Sequence, residues 1–169
     1  QSAELYGSDK VLLLLCSDLV KQQRFHPVVV LPENGPLLNL LQESGVEVHI
    51  GNVGKISRDI FSPRGVLRLI KAVSTGVSDI NRIVGQRDVA IVHSNTLAVL
   101  TGAVWSFLKR KKHIWHVHEI ILKPRLVCRV FPRMVNWFSD CVISNSSLTE
   151  RWLLSEQPQI KDKSVVVFN

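Results

Sequence analysis

Residues 113–121 have the sequence HIWHVHEII, an apolar, β-branched run that is typical of a strand and that ends in ionisable side chains. In parallel α/β sheets, ligands bind just beyond the carboxyl ends of the strands. His116 and His118 are two residues apart, so they share a face of the predicted strand, whereas Glu119 points the other way or turns into the following loop. The run is therefore either a strand that becomes polar where it meets water or one edge of a functional site.

Further strands and helices alternate on both sides of this run. Apolar, β-branched segments predict strands, and apolar residues at three- and four-residue spacing predict helices. The predicted strands cover residues 28–31, 46–50, 88–93, 140–144 and 164–168, and the predicted helices cover residues 9–22, 37–44, 67–84, 96–108, 122–139 and 146–156. The alternation predicts a single Rossmann-like domain over residues 1–169, with a doubly wound, mainly parallel sheet and helices on both faces.

The start of the chain departs from this pattern. A doubly wound domain normally begins with a strand that lies at the centre of its sheet. Here a polar stretch leads directly into the first predicted helix. We expect either that the first, central strand is missing from the chain or that residues 3–6 form a weak substitute for it.

Composition excludes several classes of protein. Hydrophobic residues make up 46% of the chain, which excludes disorder, and the longest apolar run, residues 11–16, is too short to cross a bilayer. The three cysteines form no CxxC pair, and no third ligand accompanies His116 and His118, so we expect no metal site and no disulfide framework. Unpatterned cysteines fit a reducing cytoplasm. Lysine and arginine number 21 against 14 acidic residues, which favours an anionic partner, and the absence of a nucleic-acid-binding signature argues against nucleic acid.

Polar side chains also follow two other predicted strands. His93 and Asn95 lie at the end of one strand, and residues 144–146 end another. Gly7 and Ser8 open the first helix, where backbone N–H groups can cradle a phosphate, although the stretch lacks the GxGxxG and Walker spacings. Because the carboxyl ends of parallel strands meet at one edge, we expect these groups to share a rim. The simpler alternatives are a hydrogen-bonded strand end for His93 and a helix cap for a serine at 146 or 147.

The predicted helix over residues 122–139 carries a basic row. Arg125, Arg129 and Arg133 are four residues apart and share a helix face, although Pro132 predicts a kink or break there. The run Lys109 to Lys112 adds positive charge at the end of the preceding helix. The row is either a solvated face or a surface that docks on anionic lipid.

These motifs, in this order, resemble the N-terminal, acceptor-side domain of family-4 retaining glycosyltransferases of the GT-B fold. The resemblance covers nearly the whole chain, and the His-Val-His-Glu strand end is its most specific part. The segments that carry it are AELYGSD at residues 3–9, VHSNT at 92–96, IWHVHEI at 114–120, VISNS at 142–146 and VVVFN at 165–169.

The resemblance implies two Rossmann-like domains that face each other across a cleft, of which the C-terminal, donor-binding domain is not in this chain. It implies a UDP- or GDP-linked sugar as donor and no metal or other cofactor. By resemblance, the catalytic residues are His118, beside the transferred sugar, and Glu119. The residues that line the acceptor side are His93, Asn95 and His116, and those that face the donor phosphates are Glu4, Gly7 and Ser8.

The leading hypothesis is therefore the N-terminal domain of a hexosyltransferase-type enzyme that transfers sugar, with retention, to a cell-envelope polysaccharide or lipid-linked acceptor. We expect it in the cytoplasm, peripherally on the inner face of the membrane, where Arg125, Arg129 and Arg133 face an anionic surface. We expect residues 1–169 alone to be inactive. The alternative is a non-catalytic α/β module that binds a phosphorylated ligand.

Overall fold

The computed structural model describes residues 7–56 and 62–168 and confirms the predicted α/β fold with parallel sheets flanked by helices. The elements in chain order are α1 (Gly7–Gln22), β1 (Val28–Leu31), α2 (Pro36–Glu43), β2 (Glu47–Ile50), α3 (Pro63–Val84), β3 (Ile91–Ser94), α4 (Thr101–Lys109), β4 (Lys112–Val117), α5 (Arg125–Phe138), β5 (Cys141–Ser144), α6 (Ser147–Glu156), a 3₁₀ helix (Pro158–Lys163) and β6 (Ser164–Val166). The chain forms two compact units, Gln1–Arg87 and Asp88–Asn169.

The first unit contains a pair of parallel strands, β1 and β2, joined through α2. Parallel neighbours need such a crossover because a short hairpin can only join antiparallel strands. Gly45 takes a φ of +80° just after α2, a left-handed conformation that glycine adopts readily at the end of a helix. The core is built from apolar side chains of α1, β1, α2 and the residue before β2, namely Cys16, Val29, Leu31, Leu37, Leu41 and Val46.

A partly exposed ion pair joins the end of the first unit to β2. Arg87 donates to both carboxylate oxygens of Glu47, at 2.7 and 3.0 Å, and the imidazoles of His49 and His26 lie 2.7 and 3.3 Å from the same carboxylate. The hydrogen bond from Arg87, followed by that from His49, lowers the pKa of Glu47 to about 2. The carboxylate therefore stabilises the fold wherever it is ionised.

We expect Glu47→Gln to lower the free energy of unfolding at pH 7 by about 1 kcal/mol, because the carboxylate is 30% exposed and solvent screens its contacts. The folded pKa lies below the ordinary value of 4.5, so this contribution is present above pH 4.5 and is lost as the pH falls toward 2. Urea unfolding of both proteins across that range measures the difference. Glu33→Gln, at an exposed position with no ion-pair partner among the described residues, is the control and should show no such pH-dependent loss.

The second unit contains a four-stranded parallel sheet in the order β3-β4-β5-β6. The sheet is anchored by β4, in which Trp115 and Val117 are fully buried and His113 is nearly so. The indole N–H of Trp115 donates to the Thr96 carbonyl at 2.8 Å. His113 Nδ1 donates to the Phe138 carbonyl at 2.6 Å, and its Nε2 accepts from the Ser94 hydroxyl at 2.9 Å. The polar atoms of the Trp115 and His113 rings are thus satisfied inside the unit.

Predictions for three helices differ from the structure. The helix expected from residue 67 begins at Pro63, where the Ser62 hydroxyl accepts from the Gly65 amide at 3.0 Å. The helix expected from residue 96 begins at Thr101, because the Thr96 hydroxyl accepts from the Ala98 amide within a turn. The break expected near Pro132 does not occur: α5 continues through this proline, which is buried together with Phe131 and Val135. The predicted cap is confirmed at Ser146, whose Oγ accepts from the Thr149 amide at 3.2 Å.

The expectation about a first strand falls on residues 3–6, which lie outside the described residues, so it stays a prediction. The prediction of one domain over residues 1–169 also stays a prediction. Within residues 7–56 and 62–168, no helix combines the length and the apolar character needed to cross a membrane.

Candidate active site

The carboxyl ends of β3, β4 and β5 form one edge of the four-stranded sheet, because these strands are parallel neighbours. His93 on β3 pairs in register with Ile114 on β4. His116 is two residues after Ile114 on the same strand, so the His93 and His116 imidazoles lie on the same face of the sheet. The ring centres of His93 and His116 are 5.7 Å apart, and those of His116 and His118 are 4.0 Å apart. The structure therefore brings the three predicted histidines together in one row.

All three histidines are held in the neutral form. Burial is the main cause: it lowers the pKa of His93 to about 4 and that of His116 to about 3, and the neighbouring imidazoles contribute to both shifts. Burial also lowers the pKa of His118, opposed by the nearby carboxylate of Glu119. The ordinary histidine pKa is near 6.5, so at neutral pH the row presents uncharged rings that can exchange hydrogen bonds with hydroxyl groups.

Two of the rings have unused hydrogen-bonding capacity. Neither ring nitrogen of His116, nor Nε2 of His93, has a hydrogen-bond partner among the described residues. Buried polar atoms of this kind are uncommon and are costly unless they serve a purpose. His116 is only 3% exposed, whereas His93 and His118 are half-buried. This difference favours a supporting role for His116. The Nε2 atom of His93 is buried as well, although the residue as a whole is partly exposed.

The ring of His118 is positioned by asparagines from the two neighbouring strand ends. Its Nε2 lies 3.3 Å from Asn95 Oδ1, and because an amide oxygen can only accept, Nε2 carries the proton. Asn145 donates from Nδ2 to the His118 carbonyl at 3.4 Å and accepts from the Thr149 hydroxyl at 2.8 Å. Asn95 was predicted to line the site. Asn145 belongs to residues 144–146, which were expected at the same rim, but no role was predicted for it.

Glu119 joins the ends of β3 and β4. Its carboxylate accepts from the Thr96 hydroxyl and from the backbone amides of Leu97 and His118, both at 3.3 Å. These contacts fix the turn that carries Asn95 against the strand end that carries His118. They favour a positioning role for Glu119, because its oxygens are already occupied by donors from the protein.

The residues predicted to face the donor phosphates belong to the first unit. Gly7 and Ser8 form the first turn of α1 in the first unit, where Gly7 is exposed with open space around its Cα and Ser8 is buried. Glu4 lies outside the described residues. The expectation that this helix start joins the histidine row at one rim stays a prediction. Among residues 7–56 and 62–168, no three His, Cys, Asp or Glu side chains are grouped so that they could hold a metal ion.

Comparison with known proteins gives a family and a fold. The profile described as Glycosyltransferase Family 4 matches residues 7–169. No curated protein matches the chain.

Two solved structures have a similar fold. The Anabaena protein Alr3699/HepE, crystallised with UDP and glucose, matches all of this chain and 42% of its own, with a TM-score of 0.72 and 23% identity. A Listeria monocytogenes protein described as a UDP-N-acetylglucosamine 2-epimerase matches 93% of this chain and 41% of its own, with a TM-score of 0.64 and 14% identity. The chain thus spans less than half the length of either protein, and at these identities the likeness shows the fold alone.

Proposed function

The chain belongs to glycosyltransferase family 4, and from that membership we propose that it forms the N-terminal, acceptor-side domain of an enzyme that transfers sugar from a nucleotide-sugar donor with retention. The donor-binding domain would follow in the rest of the protein, and residues 1–169 alone would be inactive. HepE was crystallised with UDP and glucose, which supports a UDP-linked sugar as the donor, with a GDP-linked sugar as the other option.

The observation that carries the proposal is the row of neutral histidines at the carboxyl edge of the sheet. Transfer of a sugar builds positive charge at the anomeric carbon as its bond to the diphosphate breaks. A cationic imidazole at this edge would oppose that charge, whereas the lowered pKa values of His93, His116 and His118 keep the rings neutral. Neutral rings can still bind and orient sugar hydroxyls.

We assign the residues as follows. His118 lies beside the transferred sugar. Glu119 holds the His118 strand end in place through its contacts with Thr96, Leu97 and the His118 amide. His93 binds acceptor hydroxyls. Asn95 supports the His118 ring, and His116 supports the His93 ring. The start of α1, with Gly7, Ser8 and the preceding Glu4, faces the donor phosphates, where helix N–H groups stabilise negative charge. No metal or cofactor is needed for these roles.

The acceptor in this proposal is a cell-envelope polysaccharide or a lipid-linked saccharide, and the enzyme works at the cytoplasmic face of the membrane. Support comes from the excess of basic residues and from the basic row of Arg125, Arg129 and Arg133, all exposed on α5. An enzyme that takes its acceptor from a membrane gains from a surface that keeps it there.

The test uses the full-length protein with UDP- and GDP-sugars and a membrane lipid extract as the source of acceptor. We expect one nucleotide-sugar to raise the thermal midpoint and to transfer labelled sugar to the extract, because a ligand of the native state stabilises it. The anomeric configuration of the product, determined by NMR, should match that of the donor. A protein that binds a nucleotide-sugar without turnover would support a binding module, and one that binds none would refute the proposal.

A further inference from the structure

The exposed face of α5 carries two parallel rows of side chains. At about 100° per residue, Leu126, Val130 and Trp137 fall within about 40° of one another, and the three arginines form the adjoining row. Leu126 is 65% exposed and Trp137 is 73% exposed, although large apolar side chains are normally buried. The opposite face, with Cys128, Phe131 and Val135, packs into the second unit. The helix is therefore apolar on both sides, with the basic row along its outer edge.

A second apolar group adjoins the end of α5. Phe107 and Leu108, at the end of α4, are 63% and 60% exposed. Together with Trp137 they line a groove of about 560 Å³, which Arg110 and Lys112 also line. The Phe107 ring packs edge-on against Phe138, with the ring centres 5.4 Å apart. We call Phe107, Leu108, Lys109, Arg110 and the exposed side chains of α5 the α4–α5 surface.

The α4–α5 surface is strongly cationic. No aspartate or glutamate occurs in residues 97–118 or in residues 120–139. Arg125, Arg129 and Arg133 have no ion-pair partner in the part of the chain that the structure describes. A helix face that only needs to stay solvated normally mixes both signs of charge, which pair along the helix. Every charge on α5 has the same sign, and large apolar side chains accompany it. One acidic residue, Asp140, lines the adjoining groove and is paired with Lys112 at 2.7 Å.

We propose, resting on the proposed function, that the α4–α5 surface docks the protein on an anionic phospholipid bilayer. The apolar row and Phe107 enter the boundary of the acyl chains, and the arginines meet lipid phosphates, as in helices that lie in the plane of a membrane interface. Tryptophan is enriched at this depth because its ring is amphipathic. A second copy of the chain fits poorly, since a symmetric contact would set one row of arginines against the other.

Docking through α5 also explains how a lipid-linked acceptor would reach the site. The chain passes from His118 to the start of α5 in only seven residues, so the Arg125 end of the helix lies on the side of the histidine row. A helix lying flat on the membrane would hold this edge of the sheet at the lipid surface. Trp137 and Phe107 would anchor the other end.

The experiment measures co-sedimentation of the full-length protein with phosphatidylcholine vesicles that contain or lack phosphatidylglycerol. We expect binding only with the anionic lipid, weakened by high salt, and about a hundredfold weaker when Arg125, Arg129 and Arg133 are all changed to Gln. The control changes Lys10, Lys21 and Lys161 to Gln, three exposed positions off this surface with the same loss of charge, and should bind almost as the parent does. Trp137→Ala should weaken binding without changing the charge.

The outcomes separate the surface from the enzyme. Equal losses in the arginine variant and in the control would overturn the proposal, as would tight binding by the arginine variant. A dimer in solution that becomes monomeric in Trp137→Ala would show that the occupant is a second copy, which also overturns it. Vesicle binding needs no substrate. Vesicle binding without sugar transfer would therefore refute only the proposed function. Sugar transfer to a short soluble acceptor without vesicle binding would refute only the membrane-docking proposal.

Discussion

Replacing His118 with alanine in the full-length enzyme is expected to lower kcat by about a hundredfold or more, because the ring is proposed to orient the transferred sugar. The ring is half-buried at the end of β4 and is hydrogen-bonded to Asn95. Its removal takes away that contact and leaves the buried core of β4 unchanged. The measurement is steady-state transfer at saturating donor, with the thermal midpoint recorded in parallel.

The matched control is His26→Ala. The His26 side chain is 71% exposed and belongs to the first unit, where it contacts Glu47. This variant should transfer sugar at the parental rate. If His118→Ala also kept the parental kcat with only a higher KM, the ring would serve binding alone, and unchanged values of both constants would remove it from the site.

The largest expected effect on stability comes from Trp115→Ala, which should lower the free energy of unfolding by about 3–5 kcal/mol. Trp115 is fully buried in β4 and makes a 2.8 Å hydrogen bond to the Thr96 carbonyl. Its truncation opens a cavity and leaves that carbonyl without its donor. If the alanine variant does not fold, Trp115→Phe should still unfold at a lower urea concentration than the parent, since the ring is smaller and cannot donate.

Trp137→Ala provides the comparison at an exposed position. The side chain of Trp137 is 73% exposed, so its truncation should change the free energy of unfolding by no more than about 0.5 kcal/mol. Urea unfolding of the two variants measures the contrast. Similar losses at both positions would mean that the burial of Trp115 does not stabilise the fold as the structure indicates.

The features that could be predicted from the sequence are those that local patterns determine. Periodicity located the strands and helices, and the parallel order then followed from their alternation. The pairing of His116 and His118 on one face followed from the two-residue repeat of a strand. His93 could be placed nearby because it ends the neighbouring strand. These inferences need no knowledge of contacts between distant residues.

The features that could not be predicted depend on contacts between distant residues. The contact between Glu119 and the Thr96 hydroxyl depends on how the turns after β3 and β4 fold. It accompanies a start of α4 at Thr101, five residues later than the sequence predicts. Arg87 and Glu47 are 40 residues apart in sequence, and nothing in the local pattern of either residue indicates their pairing. The neutral state of His116 is also a product of burial, which a strand pattern does not quantify. Pro132 stays inside a helix because tertiary packing overrides its local preference.

The turn that follows β3 is held by β4 at several points, through the Trp115 indole and the Glu119 carboxylate. Asn95 and His118 are therefore parts of one rigid body, and the turn cannot swing open unless buried contacts in the sheet break. In the proposed site, this edge of the sheet should need little reorganisation to bind a sugar, because Asn95 and His118 are already held in place. Adaptation to acceptors of different shape must then come from segments outside this body, and attempts to alter acceptor selectivity should begin there.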